Sequence, residues 1–150
     1  MDIIIRKAKI EEANIANNFL TKLIRDEKKY DNNINENIVI NNYYENYIDK
    51  DNTCLLFALI DNKIVGYIYG FIKNDGDAVI NKVALLDALY VDIEYRKLGV
   101  ANSLINEFKN WSKDIANSIE VNVCYQNESA VKLYKKHNFI ETKMTMECDL

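Results

Sequence analysis

The sequence predicts an α/β protein built as one domain on a mixed central β-sheet, and three observations carry that prediction. Strand-length apolar runs and helical apolar stripes share the whole chain between them. Strand-like runs first follow one another through short turns and then alternate with helices. A meander therefore gives way to βαβ units, and the sheet must contain both antiparallel and parallel pairs. Finally, 150 residues suit one domain, residues 1–150, enough chain to bury roughly 68–70% of its unfolded surface without staples.

The elements follow in order. Residues 3–8, rich in isoleucine, read as an opening strand. Over residues 10–25, Ile10, Ala13, Ala16, Leu20, Leu23 and Ile24 recur at helical spacing and predict an amphipathic helix. A polar stretch at 26–33 precedes a second, weaker helix at 34–48, carrying Ile38, Tyr44 and Tyr47. Residues 53–60 and 63–72 read as a hairpin around Asp61-Asn62, since both residue types tolerate positive φ. Glycines are scarce, four in all, so Gly66 and Gly70 inside the second strand point to a bulge or a close backbone approach. A turn at 74–77 leads to a long strand at 79–91. A helix at 100–112, a strand at 119–125, a helix at 128–137 and a last strand at 139–147 complete the chain.

Composition removes several classes. A chain 49% hydrophobic and 28% charged is not disordered. The longest apolar run, residues 54–60, is far short of the ~18 residues of a membrane span, and no secretion signal is visible at the start. No membrane partner is expected. Cys54, Cys124 and Cys148 form neither a CxxC pair nor an even set, which suits free thiols in a reducing cytoplasm. With a single histidine, no metal is expected either. A net charge of −4 gives no pull toward nucleic acid and tilts mildly toward a cationic small partner.

Two segments carry chemistry. In Leu89-Tyr90-Val91-Asp92-Ile93-Glu94-Tyr95-Arg96-Lys97-Leu98-Gly99-Val100-Ala101 a strand ends, a polar loop follows, and a helix opens at a glycine. Helix N-termini expose unpaired N–H groups and the positive end of the dipole, which suit phosphate oxygens. Gly99 and Ala101 permit close approach, and Arg96 and Lys97 add charge. The competing reading is an ordinary strand-to-helix turn. Neither a Walker A loop nor a three-glycine dinucleotide fingerprint is present. In the second segment, residues 127–139, Asn127 is a good N-cap, Asn138 a candidate for positive φ past the helix end, and Tyr134 sits two turns after Asn127. Tyr134 is read either as a functional phenol or as a half-buried packing residue, and His137 as a helix-end histidine.

Together the two segments resemble the signature regions of the GNAT superfamily of N-acetyltransferases. Arg96-x-x-Gly99-x-Ala101 is similar to its acetyl-CoA pyrophosphate loop. Asn127-x-x-Ala130-x-x-Leu133-Tyr134-x-x-x-Asn138-Phe139 is similar to its second signature, with Asn138 standing where glycine is usual.

The resemblance implies a GNAT-like fold with helices on both faces of the sheet, and acetyl-CoA as acetyl donor. It implies that the strand before the loop splays from the next one and that the pantetheine arm pairs with backbone at Leu89 and Val91, beside Tyr90. The amides of Arg96, Lys97, Leu98, Gly99, Val100 and Ala101 would hold the pyrophosphate, Asn127 would contact the cofactor arm, and Tyr134 would protonate the departing thiolate. An amine with a pKa of about 10.4 must lose a proton before it attacks, and a carboxylate is the usual remover. Asp87, two before Leu89 and read as sharing its strand face, is the first candidate base; Glu120 is the second, and a water chain a third. A strand-end charge facing solvent is the competing reading of Asp87. The expected acceptor is a primary amine of a small molecule or peptide, walled by the acidic, tyrosine-rich residues 26–47 and possible in a homodimer as in a monomer. The alternative is a non-catalytic acyl-CoA-binding sensor of the same fold, which the presence of Tyr134 disfavours.

Overall fold

Five strands form one sheet, ordered as in the sequence, in the computed structural model, which describes residues 1–150. They are β1 (Ile4–Lys7), β2 (Thr53–Ile60), β3 (Lys63–Ile72), β4 (Val83–Val91) and β5 (Ser118–Val121). The first four pair antiparallel and β5 joins β4 in parallel, so the sheet is mixed as predicted. Asp61 and Asn62 take φ of 49° and 63°, the left-handed pair that a two-residue hairpin between β2 and β3 requires.

Helix α1 (Ala13–Asp26) covers one face, and α2 (Val100–Ser112) and α3 (Glu128–Lys136) belong to the other. Strand alternation divides the core accordingly. Leu55 and Phe57 of β2 meet Ala16 and Phe19 of α1, while Cys54, Leu56 and Ala58 belong with Leu104, Ile105 and Phe108 of α2. Gly70 leaves room for Phe108 of α2 to press against the sheet. A Cβ there would stand 2.3 Å from the Phe108 ring and 2.4 Å from the Leu85 carbonyl oxygen.

Two predicted elements do not form. Residues 34–48 hold a single 3-10 turn, Tyr44–Asn46, instead of a second helix. Short polar side chains capture backbone amides there, Asp31 that of Asn33 and Asn35 that of Asn37, which is how Asn and Asp compete with helix. The segment is ordered by α1 instead: the buried Asn17 Oδ1 accepts the Tyr44 N–H at 3.0 Å, and Thr21 Oγ1 accepts that of Ile40. The last predicted strand, 139–147, is likewise absent; residues 140–150 run without turn or bend and make no backbone hydrogen bond. The strands predicted at 79–91 and 119–125 shorten to β4 and β5.

Candidate functional site

β4 and β5 pair only from Val83 opposite Ser118 to Leu86 opposite Val121. Beyond Leu86, β4 continues to Val91 with no neighbour on that side, and this opens a cleft. The ladder fixes what β4 presents to it. Asp92 N–H donates to Val65 O at 2.8 Å, which makes Gly66 opposite Val91 a non-hydrogen-bonded pair. Val91, and Leu89 two residues before it, therefore turn N–H and C=O away from β3 into the cleft. Arg96 Nε takes the Val91 carbonyl at 2.8 Å, leaving the Val91 N–H and both Leu89 groups. Tyr90, paired with Tyr67 on the β3 side, is not brought to this edge; its ring lies in the α1 core. Gly66 is needed for the approach of the strands, since a Cβ would meet Tyr90 O at 2.7 Å.

At the cleft mouth the chain turns through Lys97 (φ 63°) and Gly99 (φ 89°) into α2. Gly99 is the N-cap and offers no side chain to close the helix end. The N–H groups of Lys97, Leu98, Gly99, Val100, Ala101 and Asn102 find no acceptor in the chain. That row of donors lies one residue further along than the predicted 96–101, because Arg96 N–H bonds Ile93 O. Nothing stands within 4 Å of a Cβ built on Gly99. Free amides, a helix N-terminus and open space together suit a phosphate or pyrophosphate group. The Arg96 guanidinium braces the loop, lying 5.1 Å from the Tyr90 ring centre and 3.4 Å from Asp26.

Asn127 Oδ1 accepts from Ala130 N–H and so caps α3. Two turns on, Tyr134 is buried in the α2-side core with Val91, Val100 and Leu104, and burial holds its phenol protonated well above the usual range. Past the helix, Phe139 N–H bonds Tyr134 O and Asn138 N–H bonds Lys135 O, both at 3.0 Å, with Asn138 at φ 69°. This is a Schellman closure with asparagine in the glycine place. His137 Nε2 meets Asn102 Oδ1 at 2.8 Å and ties α3 to α2.

The reading of Asp87 needs a correction. Gly70 faces Leu86 but Tyr69 faces Ala88, so Asp87 is the extra residue of a β-bulge. The bulge resets the alternation: Leu86 lies on the α2 side before it, and Leu89 and Val91 after it, while Ala88 and Tyr90 face α1. Asp87 stands beside Ala88 opposite Tyr69, on the α1 side, and not on the face of Leu89. There its charge acts on Tyr43, Tyr69 and Glu27. Asp87 and Glu27 are both exposed by surface area, but partial desolvation by the surrounding chain raises the Asp87 pKa, and the same effect with Asp31 and Asp87 nearby raises that of Glu27. Glu120 is the opposite case. Lys73 and Lys143 pair with it at 3.1 and 3.3 Å and lower its pKa.

Much of the predicted acidic wall is occupied by structural work. Asp26 holds Arg96, Glu45 accepts from Asn17, and Tyr44 is buried with its hydroxyl on Tyr67 at 2.9 Å. Glu27 and Tyr43 remain near Asp87, and Asp31, which also accepts the Asn33 N–H, stands near Glu27. Two half-open hollows lie elsewhere, at the other end of the sheet beside Thr53 and Ile72. The cleft is an open groove, and its unpaired backbone identifies it better than its volume.

Comparison with known proteins bears on this cleft. The profile of the Acetyltransferase (GNAT) family matches residues 17–139. An N-alpha-acetyltransferase of Sulfurisphaera tokodaii is 27% identical over 109 residues, 68% of this chain and 65% of that protein, so the match spans just under two thirds of the relative's length. A variant of the BH1408 protein from Bacillus halodurans superposes with a TM-score of 0.87 at 19% identity, covering 98% of this chain and 99% of the other. AAC(6')-Iy in complex with the bisubstrate analog CoA-S-monomethyl-acetylneamine superposes at 0.75 with 16% identity, covering 100% and 99%.

Proposed function

Because the chain belongs to the acetyltransferase (GNAT) family, we propose that residues 1–150 act as one acetyl-CoA-dependent N-acetyltransferase domain that acetylates a primary amine by direct attack on the thioester. The observation that carries this reading is the pairing of the unpaired amides of 97–102 with the unpaired edge of β4 at Leu89 and Val91. Acetyl-CoA, when bound, supplies the acetyl group as an activated thioester. The loop amides, with Lys97 beside them, hold the phosphates; the β4 edge and the unengaged Asn127 Nδ2 hold the arm. The Val91 N–H is a donor for the carbonyl oxygen as it gains charge. Asp87, with its pKa raised, takes a proton from the attacking amine. Tyr134 Oη gives one to the sulfur as the C–S bond breaks and the amide forms. No covalent enzyme intermediate is needed, and Cys54, whose thiol burial pushes up to about 12, has no part in it.

Glu27, Asp31 and Asp87 with Tyr43 and Tyr47 favour a cationic small-molecule or peptide amine as acceptor. No helix is long and apolar enough to cross a membrane, and the free thiols Cys54, Cys124 and Cys148 support a cytoplasmic location. An amine panel with acetyl-CoA, read as free thiol, tests the function. Amine-dependent thiol release is expected. Thermal stabilisation by acetyl-CoA with no release above background for any amine would instead make the protein an acyl-CoA sensor.

A further inference from the structure

The α1 side of the sheet carries a row of rings that the core does not fully cover. Phe71 and Tyr69 of β3 stand 5.9 Å apart between ring centres, Tyr69 and Tyr47 5.9 Å, and Tyr47 and Tyr43 5.0 Å. Tyr69 is sealed, only 2% exposed. The others are open: Phe71 and Tyr47 are half-buried, and Tyr43 is 37% exposed. Leu85, opposite Phe71 in the ladder and also half-buried, continues the row onto β4. It faces α1 because its neighbours Ala84 and Leu86 belong to the α2 core.

The row ends on a carboxylate. Asp87 follows Leu85 by two residues, and both Tyr43 and Tyr69 feel its charge. It is also the first residue of β4 past the pairing with β5, where the cleft begins. Strand residues two apart are separated by roughly 6.6 Å. A group lying over Leu85 and Phe71 is therefore one short linker away from a group held at Asp87. Half-open rings gathered beside a carboxylate are the make-up of a ligand site, apolar walls with one polar anchor.

We propose that the acceptor is a primary amine with an aromatic ring two carbons away, its nitrogen at Asp87 and its ring against Phe71, Leu85, Tyr43 and Tyr47. The inference rests on the acetyltransferase reading and names the acceptor for it. The two ends of such a molecule match the two ends of the row. The ammonium finds a carboxylate and phenol faces, and the ring finds partners for offset or edge-on contact. A diamine satisfies only the first end and leaves the rings wet. Two sources carry this chemistry. One is a free arylalkylamine; the other is a peptide beginning with an aromatic residue, whose α-amine also lies two carbons from its ring.

Thiol release from acetyl-CoA, measured at one low salt concentration over matched amines, tests the proposal. Phenethylamine is set against n-butylamine, phenylalaninamide against alaninamide, and 1,4-diaminobutane is added. In at least one pair the ring-bearing member should show kcat/KM at least about tenfold higher, the scale on which a pocket reads a few extra carbons. The pair with the higher kcat/KM identifies the source. Phe71→Leu, which keeps bulk and removes a ring, should shrink that preference by roughly threefold to tenfold. Turnover with no preference in either pair, the diamine as the fastest substrate, or a preference unchanged in Phe71→Leu would each overturn this proposal and leave the acetyltransferase standing. No release from any amine would overturn the reading beneath it. The wild-type panel decides even if the variant does not fold.

Discussion

The ring of Phe139 meets that of Tyr134 edge-on, at 5.5 Å between centres and 60° between planes. The contact follows from backbone closure. Asn138 at φ 69° returns the chain so that the residue two beyond the helix cap faces the residue three before it. The phenol is therefore gripped from the outside by Phe139 and from the inside by the α2 core, with its hydroxyl as the polar end. A tyrosine needed only for packing could lose that hydroxyl without penalty.

Tyr134→Phe should accordingly keep the fold and the stabilisation by acetyl-CoA while turnover falls by at least about tenfold, within the roughly 10²–10⁴-fold range of general acid catalysis. Thermal shift and steady-state kinetics on one preparation check both parts. Wild-type turnover would return Tyr134 to a packing role.

Gly99→Val places a β-branched residue at φ 89°, at a cost of about 1–2 kcal/mol, and fills the space in front of the free amides. Melting should drop by a few degrees, and the rise in Tm caused by acetyl-CoA should vanish. An unchanged rise would move the phosphate site away from this loop.

Asp87 gives a pH dependence of defined sign. Partial desolvation raises its pKa, so the acid limb of kcat/KM should bend above the usual aspartate range, with activity rising as pH climbs through that bend. Asp87→Asn should lower kcat/KM and remove the bend. A limb that survives the substitution takes Asp87 out of the proton transfer; Glu120, whose pKa is lowered by Lys73 and Lys143, would bend the profile below that range instead.

Cationic amines should be acetylated faster than neutral or acidic ones, and the preference should shrink with salt. The charges of Glu27 and Asp31 act through solvent, and screening becomes strong beyond ~10 Å at 0.1 M. Equal rates at low salt for a diamine and an acidic amino acid would remove the acidic wall from the acceptor site and leave the chemistry intact.

Gly70→Ala should cost at least about 2 kcal/mol, read as a Tm lowered by roughly 4–8 °C, because the new methyl meets both a ring and a backbone oxygen. Pairing it with Phe108→Leu should recover part of the loss.

What could be read from the sequence was what neighbouring residues decide among themselves. Asp61-Asn62 needs only its own φ values, Asn138 only the end of its helix, and Gly66 and Gly70 declared tight places by lacking a side chain. The misreadings were all non-local. Residues 34–48 have tyrosines near helical spacing, but the amides there are claimed by Asn17 and Thr21, some twenty residues away. Residues 139–147 alternate as a strand should, and alternation does not supply a neighbour. Asp87 was assigned to the face of Leu89 by counting in twos, and a bulge between β3 and β4 breaks the count.

That bulge makes β4 a wall with its facing reversed partway along. Asp87 opens on the chamber lined by α1, whereas Leu89 and Val91 open on the one occupied by α2 and Tyr134, so the proposed proton acceptor and the proposed proton donor are kept in separate rooms beside the strand. Deleting one residue here would be worse than any point substitution. Deletion of Leu86 would restore the regular count and carry the carboxylate through the wall into the place of a buried leucine, so the α2 side would take up an unpaired charge and the sheet would lose stability.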